Sequence, residues 1–164
     1  MTLSTRIGVM RAGVIVQTGE PSEIYEHPSS RFVADFIGTV NMFEGRVSED
    51  EPDYISVTSP EAGGEIYVGH GVSCVLNQQL WLAIRPEKLR VTRERPGKEH
   101  NVFKAVVDDV AYLGNLSVYR MRLDSGKVVQ ATKFNLSRFD DDAISWDEEV
   151  WVTWDDTAAV VLTQ

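Results

Sequence analysis

The chain contains two Gly-Lys pairs, the dipeptide that ends a phosphate-binding loop. That loop has the pattern G-x-x-x-x-G-K-[ST], in which backbone N–H groups and the lysine surround the phosphates while the hydroxyl holds magnesium. Lys98 is followed by Glu99 and Lys127 by Val128, and neither pair has a preceding glycine at the required spacing. An LSGGQ-like signature is also absent from the sequence. We therefore expect no ATPase activity and no catalytic residue in this chain.

Two short segments carry side chains suited to binding a ligand or regulating a partner. Arg85 and Glu87 flank a proline, where they can pair with each other or with a neighbouring group, or simply belong to a proline-fixed turn. Tyr112, Gly114 and Asn115 lie at a chain reversal, where glycine permits close approach and tyrosine offers a ring and a hydroxyl. A bare turn is the alternative for this second segment.

Three tryptophans near the end of the chain are candidate interface residues. Tryptophan is favoured at the buried centres of protein interfaces, and Trp146, Trp151 and Trp154 lie in or near the last strands. The alternative is that they belong to the core. Trp151 has the opposite parity to Val150 and Val152, so alternation along a strand predicts that its indole lies outside the aliphatic face.

Cofactors bound through cysteine or histidine are not expected. The single cysteine, Cys74, cannot form an internal disulfide. His27, His70 and His100 are scattered without the spacing of metal ligands. We expect no metal and no other cofactor in this chain.

The net charge of −9 is unevenly distributed. Residues 140–164 contain eight acidic residues and no Lys or Arg, whereas residues 85–98 contain six basic and two acidic residues. These segments either attract each other between neighbouring subunits or form solvated faces. The acidic balance argues against a nucleic-acid partner.

No apolar run approaches the roughly 20 residues needed to span a bilayer, so we expect a cytoplasmic protein.

The pattern of apolar residues predicts a small helical segment followed by a mainly β domain. Residues 5–17 indicate a β-hairpin, and two short helices follow, separated by Pro28 and ended by Gly38. From Asn41 onward, short alternating runs separated by turn residues predict many strands. Their length and spacing favour a barrel over an open sheet, although a sandwich stays open. The last two strands, on either side of residues 155–157, are expected to form a hairpin.

Several segments resemble the C-terminal part of ABC importer ATP-binding subunits, and most closely the polyamine-type branch. RIGVMRAGVIVQTG, PSEIYEHP and FVADFIG are similar to the segments that close the ATPase domain of these proteins. Thr5 stands where the family usually has aspartate. LAIRPEKLRV, VDDVAYLGNLSVYRMRLDSGKVV and EEVWVTWDDTAAVVL resemble successive blocks of the TOBE domain that follows the ATPase domain.

The resemblance implies a remnant of the ATPase domain in residues 1–40 and an OB-fold-like TOBE β-barrel, single or doubled, in residues 41–164. It implies a noncatalytic regulatory and dimerisation role, with ATP and magnesium bound only by the full-length subunit. The expected partners are a second copy and the membrane permease subunits, at the inner face of the cell membrane. A sensor that binds the transported solute is the alternative, and an OB-type nucleic-acid-binding module is the less favoured one.

The N-terminal strands are expected to lose their native neighbours in a chain that begins here. Arg6 to Gln17 would expose strand edges that a neighbouring copy can pair with. We therefore predict that this segment is disordered or exchanged between chains.

Overall fold

A computed structural model describes residues 4–136 and 143–164. The chain begins with a hairpin and two short helices, as the sequence predicts: β1 (Ile7–Arg11), β2 (Val14–Gly19), α1 (Pro21–Glu26) and α2 (Arg31–Ile37). The hairpin turns at Ala12 and Gly13, whose φ angles are 49° and 81°. Positive φ suits the second of these residues, because glycine has no Cβ to clash.

Both helices are delimited by local side-chain chemistry. Glu20 and Glu23 form a capping box at the start of α1. The Ser30 hydroxyl accepts a hydrogen bond from the backbone N–H of Val33 at the start of α2. Gly38 ends α2 in an extended conformation. These caps begin α1 and α2 as two separate short helices.

The remaining strands form two antiparallel five-stranded sheets. The first sheet has the order β12-β6-β3-β4-β5 and consists of β3 (Asn41–Asp50), β4 (Ile55–Ser59), β5 (Gly64–Val68), β6 (Gln79–Ile84) and β12 (Val160–Leu162). The second has the order β10-β9-β8-β11-β7 and consists of β7 (Leu89–Thr92), β8 (Val102–Tyr112), β9 (Leu116–Leu123), β10 (Val128–Phe134) and β11 (Glu149–Trp154). A single 3₁₀ turn, Pro86–Lys88, connects β6 to β7.

The two sheets bury one continuous apolar cluster between them. Phe43 and Leu82 contribute from the first sheet, and Val107, Met121 and Val152 contribute from the second. Each of these side chains is essentially inaccessible to solvent. The fold is mainly β, as predicted, and its two five-stranded sheets share one core. That the barrel is doubled stays a prediction.

The expected hairpin between the last two strands is wrong. β11 pairs with β7 and β8 in the second sheet, whereas β12 pairs with β6 in the first. The intervening turn is closed by a hydrogen bond from Ala158 N to the Asp155 carbonyl, and Asp156 accepts one from Gly69 N. The turn therefore carries the chain from one sheet to the other, which alternation along the two strands does not reveal.

The prediction of disorder for Arg6 to Gln17 is also wrong, and the alternative of exchange between chains stays a prediction. β1 and β2 pair with each other within the chain. Val9 is buried against Ile24 of α1 and Val33 of α2 in a small second core. The hairpin thus packs on its own helices, while Met10, Val14 and Ile15 remain more than half exposed.

Candidate functional site

Arg85 joins the β domain to the two helices. Its side chain is only 6% exposed, and its Nη1 group donates hydrogen bonds to the carbonyls of Ala34 (3.0 Å), Gly38 (2.9 Å) and Thr39 (3.2 Å). A buried guanidinium must find acceptors, because desolvating an uncompensated charge is costly. The end of α2 supplies them, since the last carbonyls of a helix lack partners within the helix and carry partial negative charge.

Tyr25 of α1 completes this contact from the other side. The Arg85 guanidinium lies over its ring, 4.2 Å from the centroid, and Nη2 donates to the Tyr25 carbonyl at 3.3 Å. The Tyr25 hydroxyl donates to the Glu87 carboxylate at 2.6 Å. We call Tyr25, Arg85 and Glu87 the helix–barrel junction.

Burial and the neighbouring carboxylate change the acidity of Tyr25. Burial of the phenol is the larger cause, and the hydrogen bond to the charged Glu87 adds to it; together they raise the pKa of Tyr25 to about 12. The phenol is therefore a donor to Glu87 throughout the physiological range. The junction is held by the Arg85 guanidinium, the Tyr25 phenol and the Glu87 carboxylate.

The junction revises the interpretation of the Arg-Pro-Glu segment. Arg85 was predicted to bind a ligand or regulate a partner, or to pair with Glu87, or to be only part of a turn. It is instead buried against backbone carbonyls of the helices, so it is not open to a ligand. Glu87 is exposed but its carboxylate is engaged by Tyr25. The tyrosine was not predicted as a partner, because its 62-residue separation from Glu87 leaves no local signal.

The three candidate tryptophans have three different environments. Trp154 is 1% exposed and stacks on Phe43 and Phe103, with centroid separations of 5.7 and 5.1 Å. It is a core residue, so its expected place in an interface is wrong. Trp146 is 64% exposed. Trp151 is half-buried, and the Arg95 guanidinium lies 5.6 Å from its ring centroid.

Trp151 lies on the side of β11 that its parity predicts. Val150 and Val152 on the same strand are buried, with exposures of 1% and 0%, and the indole of Trp151 lies outside that face. Its role in an interface stays a prediction, as does that of Trp146.

The turn between β8 and β9 carries exposed apolar side chains. Tyr112 and Leu113 are 73% and 62% exposed, and Gly114 has a φ of 85°, which glycine adopts without strain. Asn135 fixes the turn, donating from its backbone N–H to the Asn115 carbonyl and from its side chain to the Gly114 carbonyl, each at 2.9 Å. The turn is thus ordered by the end of β10, and its predicted role as a ligand-reading loop stays a prediction.

The basic and acidic segments pair within the chain. Arg93 contacts Glu148 at 2.8 Å, and Arg90 and Lys98 contact Asp155 at 3.1 and 3.7 Å. The hypothesis that these segments attract each other between subunits is therefore not needed to explain them. The acids at positions 140–142 lie outside the described residues.

A cluster of aromatic and acidic side chains lies beside β4 and β5. Tyr54 stacks on Tyr67 with a centroid separation of 5.1 Å, and Tyr67 stacks on His100 at 4.2 Å. Sequence reasoning did not predict this cluster, because its members come from three separate parts of the chain. The one local signal is that Tyr54 directly precedes β4 and Tyr67 lies in β5. That the two rings meet follows only from the register of these strands, in which Ser56 lies opposite Tyr67.

Across the described parts of the chain, neither helix has the length and apolar character needed to cross a bilayer. No group of three or more His, Cys, Asp and Glu side chains within residues 4–136 and 143–164 is arranged to hold a metal ion.

Comparison with protein families identifies the β domain. Residues 82–162 match the family described as "TOBE domain". The chain carries a TOBE domain. The match begins within β6 and includes Arg85 and Glu87, so the TOBE domain provides the barrel half of the helix–barrel junction.

Proteins similar to this chain over nearly its full length are longer. It is 41% identical over 163 residues to the putrescine transport ATP-binding protein PotG of Escherichia coli (strain K12), which covers 99% of this chain and 43% of PotG. It is 36% identical over 157 residues to the spermidine/putrescine import ATP-binding protein PotA of Thermotoga maritima, covering 94% of this chain and 42% of PotA. The chain thus spans about two fifths of the length of these relatives and matches their C-terminal TOBE region.

A solved structure shares the fold. The cytoplasmic molybdate-binding protein ModG, with molybdate bound, superposes with a TM-score of 0.65 at 9% sequence identity, covering 82% of this chain and 97% of that one. At this identity the likeness concerns the fold alone. It supports the TOBE-type, OB-like architecture that the sequence predicts.

Proposed function

We propose that this chain is the noncatalytic regulatory and dimerisation portion of the ATP-binding subunit of an ABC importer for a small solute, most specifically a polyamine. The observation that carries the proposal is the 41% identity to PotG over 99% of the chain. In this proposal, the whole subunit binds ATP and magnesium and couples hydrolysis to transport. It works with membrane permease subunits on the cytoplasmic face.

The helix–barrel junction supports a regulatory role. Residues 1–40 are proposed as the end of the ATPase domain and residues 41–164 as the regulatory domain. A buried cation, Arg85, connects them, with acceptors on α1, on α2 and at Thr39. Lys88 adds an ion pair to Glu26 of α1 at 3.4 Å. A displacement of the barrel is therefore transmitted to the helices, because separating them would leave the Arg85 charge without partners.

Self-association tests the dimerisation part of the proposal. We expect the purified chain to form a dimer whose population rises with concentration in sedimentation velocity or light scattering. Trp146→Ser is expected to weaken the dimer, because an exposed indole is well suited to the centre of an interface. The matched control is Val75→Ser, which replaces another apolar side chain with 65% exposure. A strict monomer at high concentration would contradict this part of the proposal.

The second candidate function is a solute sensor, in which the transported solute binds the barrel and slows transport. The aromatic and acidic cluster beside β4 and β5 favours it, and the structurally similar ModG is described as molybdate-binding. Calorimetric titration with polyamines, oxyanions and ferric ion distinguishes the chemical classes. A nucleic-acid partner is not proposed, because the net charge of −9 opposes binding to phosphate backbones.

A further inference from the structure

An open cleft of about 640 Å³ lies beside the edge of the first sheet. Tyr54, Tyr67 and His100 line part of its wall as a continuous stack, and the Tyr67 and His100 rings are within 12° of parallel. The rings are half-buried, so they form a wall that solvent reaches. We call these three rings, with Glu49 and Glu65, the aromatic cleft.

Asn101 fixes the middle ring of the stack. This residue is 3% exposed, and its side chain makes paired hydrogen bonds with the Tyr67 backbone, accepting from the N–H and donating to the carbonyl, each at 2.9 Å. Asn101 has a φ of 55°, a left-handed conformation that asparagine tolerates better than most residues. The adjoining His100 is thereby placed against Tyr67, and the aromatic wall is preformed.

The charged side chains of the cleft give it a negative balance. Glu49, Glu65 and Glu99 line it together with one guanidinium, that of Arg95. The hydroxyls of Ser56 and Ser48 donate to Glu49 and Glu65 at 3.2 and 3.0 Å. These neutral donors orient the two carboxylates without neutralising them, and among the described residues neither carboxylate has an ion-pair partner within 4.0 Å. The charge of Glu49 is also the main cause that raises the pKa of Tyr54.

Aromatic faces and carboxylates together favour an organic ammonium ion. The rings of Tyr54 and His100 cover the faces of Tyr67, so a cation can lie only over the outer face of an end ring, where the ring quadrupole attracts it. The carboxylates supply charge-assisted acceptors for the ammonium N–H groups. An anion would be repelled by the three acids. A hard metal cation would need more oxygen ligands than the two carboxylates on β3 and β5 provide.

We propose that the aromatic cleft binds a protonated alkyl diamine or polyamine, whose ammonium groups contact Glu49 and Glu65 and whose alkyl chain lies along the Tyr54–Tyr67–His100 wall. This inference rests on the second candidate function and assigns it a site. It names the ligand class from the chemistry of the cleft, which lies apart from the helix–barrel junction and from the turn between β8 and β9.

The test is isothermal titration of the whole 164-residue chain with putrescine, spermidine and butane-1,4-diol, an uncharged analogue of putrescine. We expect saturable binding of both amines, weaker binding at higher salt, and none of the diol.

Glu65→Gln is expected to weaken putrescine binding by about tenfold, as expected for one charge-assisted contact. Tyr54→Leu is expected to weaken it by about fivefold, whereas Tyr54→Phe, which keeps the ring, retains most of it. Asp109→Asn, on β8 outside the cleft, is the charge control.

Three results would overturn the proposal: no saturable binding of either amine, equal binding of the diol, or equal amine affinities for Glu65→Gln, Tyr54→Leu and the wild-type chain. The circular dichroism spectrum of each variant establishes that it is folded. Sedimentation of the same samples measures dimerisation independently of amine binding. Loss of amine binding with an intact dimer rejects the cleft alone, and amine binding by a strict monomer rejects the dimerisation alone.

Discussion

At the scale of single residues, Arg85 shows how a buried charge can become a structural connection. The guanidinium has five N–H donors in a rigid plane, and four backbone carbonyls of the helical segment accept from it. The cost of removing the cation from water is offset only where these acceptors are present. Arg85 therefore stabilises one relative position of helices and barrel against all others.

Arg85→Ala should lower the free energy of unfolding by about 3 kcal/mol, because it removes hydrogen bonds to a charged donor and leaves buried carbonyls without partners. Urea unfolding monitored by circular dichroism measures the change. Arg90→Ala is the matched control, since that side chain is 68% exposed in its contact with Asp155, and it should change the same quantity by less than about 1 kcal/mol. Similar losses for both variants would contradict the role of the junction.

Tyr25 predicts a dependence of stability on high pH. Its pKa of about 12 in the folded chain lies above the ordinary value of 10.0, so the folded state holds this proton more tightly than the unfolded state does. The resulting stabilisation is complete below pH 10 and is lost as the pH rises through 12. We expect the stability advantage of the wild-type chain over Tyr25→Phe to decrease from about pH 10 upwards.

Urea unfolding midpoints of the two proteins, measured in parallel from about pH 9 to about pH 11, check this expectation. Comparing the two proteins removes the contribution of the other tyrosines. In Glu87→Gln the amide oxygen still accepts the phenol hydrogen bond but lacks the charge, so the decrease should begin at the same pH, be smaller and end at a lower pH. Parallel curves for the wild-type chain and Tyr25→Phe would show that the Tyr25 phenol does not contribute.

At the scale of elements, the close approach of β3 to its antiparallel neighbour β4 depends on one glycine. A Cβ atom at Gly45 would lie 2.5 Å from a Val57 methyl group and 2.8 Å from the Thr58 carbonyl oxygen. β3 and β4 also change register between Val47 and Glu49, which marks a bulge in this pair. At Gly45, β3 therefore lies closer to β4 than a side chain at this position would permit.

Gly45→Ala should reduce the free energy of unfolding by about 1–3 kcal/mol, because the added methyl group overpacks the contact with β4. Thermal and urea unfolding both report the change. Gly97→Ala is the control, since a Cβ there meets nothing within 4 Å; it should be neutral or slightly stabilising, because alanine restricts the unfolded chain. A neutral Gly45→Ala would mean that β3 and β4 separate without cost.

At the scale of the whole molecule, charge complementarity is satisfied inside the chain. The basic segment 85–98 contacts the acids of residues 148–156 through ion pairs that are mostly exposed. Exposed pairs contribute little individually. Apolar surfaces available for association include the indole of Trp146 and the Tyr112–Leu113 turn.

Self-association should therefore be insensitive to salt or strengthened by it. At about 1 M NaCl the Debye length falls to about 3 Å, which weakens contacts between surface charges and leaves apolar contacts intact. Sedimentation velocity across a salt series measures the dimer fraction. A dimer that dissociates as salt increases would restore the hypothesis of attraction between the acidic and basic segments of neighbouring subunits.

The sequence by itself determined the local structure and the family. Two capped helices, a turn at Ala12–Gly13 and many short alternating strands follow from residue types a few positions apart, because capping and side-chain alternation are local effects. The outward position of Trp151 also followed from alternation alone. The motifs around Arg85 and in the last strands were sufficient to indicate the TOBE domain.

Only the tertiary structure decided which distant elements meet. The crossing of the chain from β11 to β12, the contact of Arg85 with α2 and the stack of Tyr54, Tyr67 and His100 join residues far apart in sequence. Trp154 became a core residue because both sheets close over it. Such contacts depend on how two sheets and two helices fill a shared volume, and periodicity within each element contains no information about that volume.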